Sequence, residues 1–147
     1  MTKGVRLVKA LMEWYGPRAR DLPWRHIGRN HPNPYHVWLS EIMLQQTTVV
    51  AVIPYFERFL AKFPTIQELA TANVDDVMTL WQGLGYYARA RHLHKCAGVI
   101  VQNHGGVFPH TIKELESLPG VGPYTAAAIA SMAYDKPIVP VDGNIAR

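Results

Sequence analysis

Apolar residues recur with helical spacing along almost the whole chain. Between Val5 and Tyr15 they fall at positions 5, 7, 8, 11, 12, 14 and 15, which predicts an amphipathic helix stopped by Gly16-Pro17. A second pattern opens at Asn33-Pro34, where Asn suits a helix cap and proline suits the first helical position. It runs through Trp38 and Glu41 to about Gln46. A third covers roughly residues 48–63, and Pro54 inside it predicts a kink or a division. Short helices are expected near 65–72 and 74–82, and a longer one over 86–103, closed by His104-Gly105-Gly106. Two more are expected at about 111–117 and 123–134. Residues 16–33 read as a loop rich in Pro, Gly and Arg. Strand-type alternation is scarce, and Ile138-Val139-Pro140-Val141 is short and holds a proline, so it reads as loop. The expected fold is all-α around one core, without tandem repeats or low-complexity segments.

Composition narrows the classes of function. A chain of 147 residues, 48% of them hydrophobic, suits one domain that buries roughly 68–70% of its unfolded surface. No apolar run approaches the roughly 20 residues of a membrane span. The opening Met1-Thr2-Lys3-Gly4-Val5-Arg6 leads into no apolar leader, so no secretory signal is expected. One cysteine allows neither an intrachain disulfide nor a cysteine-rich metal site, which makes a reducing intracellular compartment the expectation. The net charge of +4 is modest but unevenly spread. Residues 1–40 carry seven Lys/Arg against Glu13 and Asp21, and residues 41–84 carry five acids against Arg58 and Lys62. Residues 85–110 carry Arg89, Arg91, Lys95 and four His with no acid. Basic blocks of this kind suit a polyanion, although a lopsided solvated surface would look the same.

Two features carry chemistry. Leu118-Pro119-Gly120-Val121-Gly122 lies between two helical patterns. Its glycines permit positive φ, and the helix starting near Pro123 offers free N–H groups and a positive dipole end, a combination that grips phosphate without reading a base. The bland alternative is a tight turn between helices. The second feature is a pair of carboxylates. Glu41 has Val37, Trp38, Leu44 and Gln45 at helical spacing and no cation among them. Partial desolvation there would raise its pKa towards general-acid use. An exposed Glu on a polar face is the local alternative. Asp142, between Val141 and Gly143-Asn144, reads locally as a turn former. Together an acid and an ionised carboxylate could cleave an N-glycosidic bond, one protonating the leaving base and the other facing an oxocarbenium-like sugar.

Five strings occur in order: Leu22-Pro23-Trp24-Arg25; Pro34-Tyr35-His36-Val37-Trp38-Leu39-Ser40-Glu41-Ile42-Met43-Leu44-Gln45-Gln46-Thr47; Gly83-Leu84-Gly85-Tyr86-Tyr87-Ala88-Arg89-Ala90-Arg91; Leu118-Pro119-Gly120-Val121-Gly122-Pro123-Tyr124-Thr125-Ala126; and Val141-Asp142-Gly143-Asn144. Together they resemble the A/G-specific adenine DNA glycosylases of the helix–hairpin–helix superfamily, over a stretch from about residue 7 to 147. The resemblance implies removal of adenine mispaired with 8-oxoguanine or guanine in base-excision repair. The rival readings are thymine removal from G·T mispairs and a catalytically silent helix–hairpin–helix DNA-binding module.

The resemblance also implies roles. Glu41 is the acid that protonates a flipped adenine, Asp142 faces the developing cation, Tyr124 stands beside them, and Asn144 orients Asp142. Trp24 and Arg25 line the adenine pocket. Gln45, Gln46, Thr47, Leu84 and Tyr86 engage the opposite base and the gap in the stack, with Arg89 and Arg91 on the DNA side. Gly120, Val121 and Gly122 belong to the phosphate-gripping hairpin of the unit at about 111–134, where relatives also hold a monovalent cation at 118–122. Endonuclease III-like relatives carry a nucleophilic lysine where Tyr124 stands, so lyase chemistry through a Schiff base is not expected. Two departures stand out. The segment from Arg25 to Pro34 is longer than usual by about four residues. The sequence also stops at Arg147, where family members continue into a four-cysteine 4Fe–4S loop and a C-terminal recognition domain. Residues 1–147 are therefore expected to be the N-terminal part of a catalytic domain, lacking the cluster's ligands. A monomer acting on double-stranded DNA, in the cytoplasm or nucleoid if bacterial, completes the expectation.

Overall fold

A computed structural model describes residues 1–25 and 31–142. The described residues form eight α-helices and no strand. These are α1 (Lys3–Tyr15), α2 (Pro34–Leu44), α3 (Val49–Lys62), α4 (Ile66–Thr71), α5 (Val74–Trp81), α6 (Ala88–His104), α7 (Ile112–Glu116) and α8 (Pro123–Tyr134). Two single 3-10 turns, Gly16–Arg18 and Pro23–Arg25, punctuate the segment between α1 and α2.

The helix starts follow local capping chemistry. Asn33, Thr48, Asn73 and Thr111 each place a side-chain oxygen on a first-turn N–H of the helix they open. Thr65 and Glu68 complete a reciprocal capping box at α4. α6 ends at Gly105 in the left-handed conformation, with φ 62°. Pro54 does not divide α3, the second of the two outcomes expected from sequence. Its missing N–H would have met the carbonyl of Val50, a residue 82% exposed, so the unmatched carbonyl lies on the solvent side.

α2 is the central helix. It buries Tyr35, Val37, Trp38, Leu39, Ser40, Ile42 and Met43, nearly its whole circumference, and packs on α3, α6 and α8. α8 is its closest partner, with Ala126, Ala127, Ala128, Ala130 and Ala133 buried. Small side chains let the two backbones approach, and this contact sets the distance between their functional residues. α3 presents Val52, Phe56 and Phe59, α5 presents Val77 and Trp81, and α6 presents Ala90, Leu93, Cys96, Ala97 and Ile100 to the same core. α1 stands apart. It buries no residue and leaves Val5, Leu7, Val8, Leu11, Met12 and Trp14 exposed.

Candidate active site

Glu41 projects from the last turn of α2, and Tyr124 from the first turn of α8. The packing of these helices brings the two together, and the Tyr124 hydroxyl donates a hydrogen bond to the Glu41 carboxylate. Arg25, at the end of the Pro23–Arg25 turn, acts on both through its charge. Asp142, beyond α8, lies near enough to act electrostatically on Tyr124. Two acids, a phenol and a guanidinium from four separate segments thus share one locality.

Their electrostatics differ usefully. Burial pushes the Glu41 carboxyl above its ordinary value, and the Tyr124 hydrogen bond and the Arg25 charge pull it part of the way back. Burial also pushes the Tyr124 phenol up, reinforced by the negative charges of Glu41 and Asp142 and by its hydrogen bond to Glu41. Tyr124 is therefore a neutral donor at physiological pH. The arrangement holds a carboxyl group able to keep a proton, with a second acidic residue close by. Tyr124 offers no amine, so covalent attack on a sugar through a Schiff base has no nucleophile here.

The other residues singled out by sequence fall into three groups. Gln46, Tyr86, Gly120, Gly122 and Arg91 are exposed, and Gln45, Thr47, Arg25 and Arg89 are half-buried. Trp24, Leu84 and Val121 are core residues instead. The Trp24 ring meets Phe56 edge-on, with centroids 5.3 Å apart, so it supports the Arg25 turn from beneath and presents no open face. Asn144 lies outside the described residues, as does most of the long segment between Arg25 and Pro34.

Gln46 and Tyr86 have φ of 58° and 52°, left-handed values that non-glycine residues adopt at a cost. They sit on adjacent loops, one after α2 and one before α6, and line a common depression of about 330 Å³ with Gln45 and Tyr87. Arg89 spans the two loops. Its Nη1 donates to the carbonyls of Ile42 at 2.7 Å and Met43 at 3.1 Å, and its Nη2 to Thr47 Oγ1 at 3.3 Å and the Gly85 carbonyl at 3.4 Å. The guanidinium also lies 5.5 Å from the Trp81 ring centre and 5.1 Å from that of Tyr86. Arg89, expected to face DNA, is therefore directed inward. The reason is visible in α2, whose last turn carries no basic residue, so its terminal carbonyls take their cation from α6. That vacancy was the available sequence signal, but it did not say which of fifteen Lys and Arg would fill it.

The hairpin between α7 and α8 has the expected form. Gly120 has φ 75°, which favours glycine, and a Cβ there would also crowd the His92 Cβ of α6 at 3.1 Å. Gly122 caps α8 without any side chain over the helix start, which leaves first-turn N–H groups open to an anion.

A cluster site does not fit this chain. Cys96 is its one cysteine; it is buried in α6, and burial pushes its thiol up to about 12. Among the described residues no group of three or more His, Cys, Asp and Glu could hold a metal ion. No helix among them is long and apolar enough to cross a membrane.

Comparison with known proteins bears on the family and the fold. Residues 39–147 match the family model of the HhH-GPD superfamily base excision DNA repair protein. An adenine DNA glycosylase of Mus musculus is 48% identical over 142 residues, which cover 93% of this chain and 28% of that protein. A thermostable thymine-DNA glycosylase structure superposes with a TM-score of 0.83 at 29% identity, covering 94% of this chain and 62% of the other. An endonuclease III in a non-covalent complex with DNA shares the fold, with a TM-score of 0.74 at 24% identity, covering 99% of this chain and 66% of the other. The chain thus spans little more than a quarter of the mouse relative's length.

Proposed function

Because the chain belongs to the HhH-GPD superfamily of base excision DNA repair proteins, we propose that it carries the catalytic carboxylates of an adenine DNA glycosylase. The observation that carries the reading is the meeting of Glu41, Tyr124, Asp142 and Arg25, with Glu41 shifted towards retaining its proton. The substrate is double-stranded DNA with adenine opposite guanine or 8-oxoguanine, and the chain acts as a monomer. The target base must leave the helix to reach a group as recessed as Glu41, at a cost of a few kcal/mol in lost stacking. Exposed Tyr86 and Gln46 lie on the loops that would occupy the vacated space and meet the opposite base. The Gly120-Val121-Gly122 hairpin and the start of α8 hold the backbone phosphates.

The chemistry follows from the two carboxyl groups. Glu41 gives its proton to the extruded adenine. The bond from the base nitrogen to C1′ then breaks, and its electron pair leaves with the base. Positive charge spreads over C1′ and the ring oxygen, opposite the Asp142 carboxylate. Water adds to C1′ and passes a proton, directly or through solvent, back to the Glu41 carboxylate, which leaves an abasic site and restores the acid. Tyr124 holds Glu41 in place by its hydrogen bond, and Asn144 steadies Asp142. The 4Fe–4S cluster that the family resemblance implies for longer members would need ligands outside this chain, and no step above runs through it.

Thymine removal from G·T mispairs is the second reading, favoured by the likeness to thymine-DNA glycosylase. Single-turnover assays on duplexes with adenine opposite 8-oxoguanine, adenine opposite guanine, or thymine opposite guanine separate the two. Adenine release is expected, and it should fall by about 10²–10⁴-fold in Glu41→Gln. Thymine release alone would overturn the adenine reading. Equal rates in wild type and Glu41→Gln would overturn the mechanism.

A further inference from the structure

We infer that Arg89 is a positioning residue for opposite-base discrimination, clamping the Gln46 and Tyr86 loops into one rigid reading surface. The inference rests on the proposed adenine-glycosylase function and assigns to that site a control the carboxylates do not supply. One guanidinium hydrogen-bonds to both loops. It closes the C-terminus of α2 through the carbonyls of Ile42 and Met43, holds Thr47 just beyond, and holds Gly85 of the facing turn. The Trp81 indole N–H donates to the same Gly85 carbonyl at 3.0 Å, so that peptide is fixed from two sides. The Gly83 N–H donates to the Tyr87 hydroxyl at 3.2 Å, which closes the turn behind it.

The residues thus held are the informative ones. Gln46 follows the α2 terminus directly and Tyr86 follows Gly85, and both occupy left-handed backbone conformations while exposing their side chains. Such conformations persist only where the surroundings over-determine them. Asp135, the other non-glycine residue described with positive φ, is the ordinary left-handed cap of α8. The planar fork of an arginine can join several carbonyls at once, which the compact ammonium of lysine cannot. The Nε–H of Arg89 is buried without a hydrogen-bond partner among the described residues, and its two terminal nitrogens are engaged by the loops, so the guanidinium is directed mainly inward. Loss of the clamp should therefore leave charge-driven DNA binding intact and blur only the choice of opposite base.

The test compares wild type with Arg89→Lys, which keeps the charge, and with Trp81→Phe, which keeps the guanidinium but removes one of the two donors to the Gly85 carbonyl. Affinity is measured for a matched duplex and for duplexes with a non-hydrolysable 2′-fluorinated adenosine opposite guanine or 8-oxoguanine. Hydrogen exchange is followed over residues 44–47 and 83–87. In Arg89→Lys the preference for mispaired over matched duplex should fall at least tenfold, while matched-duplex affinity changes less than twofold. Exchange in both loops should quicken at least tenfold while exchange in α3 and α6 holds. Trp81→Phe should move the same quantities in the same direction by less, and it decides the matter if Arg89→Lys does not fold. Retained preference in the folded variants overturns the role, as does equal weakening on every duplex. A wild type without mispair preference overturns the adenine-glycosylase reading itself, and this role falls with it.

Discussion

Glu41 shows how one side chain can tie stability to protonation and, on the proposed function, to activity. Burial raises its pKa in the folded chain above that of the unfolded chain, so folding favours its protonated form. Any stabilisation from this source is therefore present at low pH and lost as pH rises through the folded value. Replacing Glu41 by Gln removes the titration and keeps an acceptor for the Tyr124 hydroxyl. Glu41→Gln should thus melt at a higher temperature than wild type near about pH 8 and at the same temperature near about pH 4. Thermal unfolding across that range checks it, and a variant less stable throughout would contradict the desolvation argument. Tyr124 makes a complementary case. Its hydrogen bond lowers the Glu41 pKa, so Tyr124→Phe should raise it and shift the alkaline limb of the single-turnover rate to higher pH. A limb that stays put or moves to lower pH would show that Tyr124 does not govern the proton on Glu41. Glu41 was legible in sequence because its helical neighbours offer no cation. Arg89 was not, since its partners lie more than forty residues away and no local pattern points a guanidinium inward.

At the scale of elements, capping residues and periodicity located all eight helices, with ends a residue or two from those expected. The first helix begins two residues earlier than read because Thr2 caps it, its side chain accepting from the Val5 N–H, and α6 begins two residues later, within the usual scatter of helix ends. Pro54 does not divide α3; the helix carries through it, and the carbonyl left without a donor belongs to the exposed Val50, where water can satisfy it. Trp24, Leu84 and Val121 lie inside because a motif string does not tell which of its members face a ligand and which support those that do. The turn of the α7–α8 hairpin was readable, although Val121 within it was not, since glycine at a turn between helices carries its own conformational reason. Gly120→Ala should cost roughly 1–2 kcal/mol from its left-handed backbone alone. It should also weaken binding to matched and mispaired duplexes by the same factor. Calorimetric unfolding and fluorescence anisotropy would read the two effects, and a selective loss on one duplex would argue against a phosphate grip.

For the whole molecule, the core is built around α2 and α8, and α1 contributes nothing to it. Deleting residues 1–15 should therefore shift the cooperative melting transition only slightly, within the roughly 0.5 kcal/mol typical of surface changes. A large drop on near-ultraviolet circular dichroism would show that α1 supports the core. The contact between α2 and α8 has a further consequence, for folding. Glu41 and Tyr124 are separated by most of the chain, and Asp142 lies beyond both. Contacts between distant residues form late, after the loop between them has been closed at an entropic cost. The helices can return within microseconds on their own. The hydrogen bond from Tyr124 to Glu41 has to wait for the fold to finish. In a refolding experiment helicity should recover first and the Tyr124–Glu41 contact last, so the proposed base release would report a completed fold.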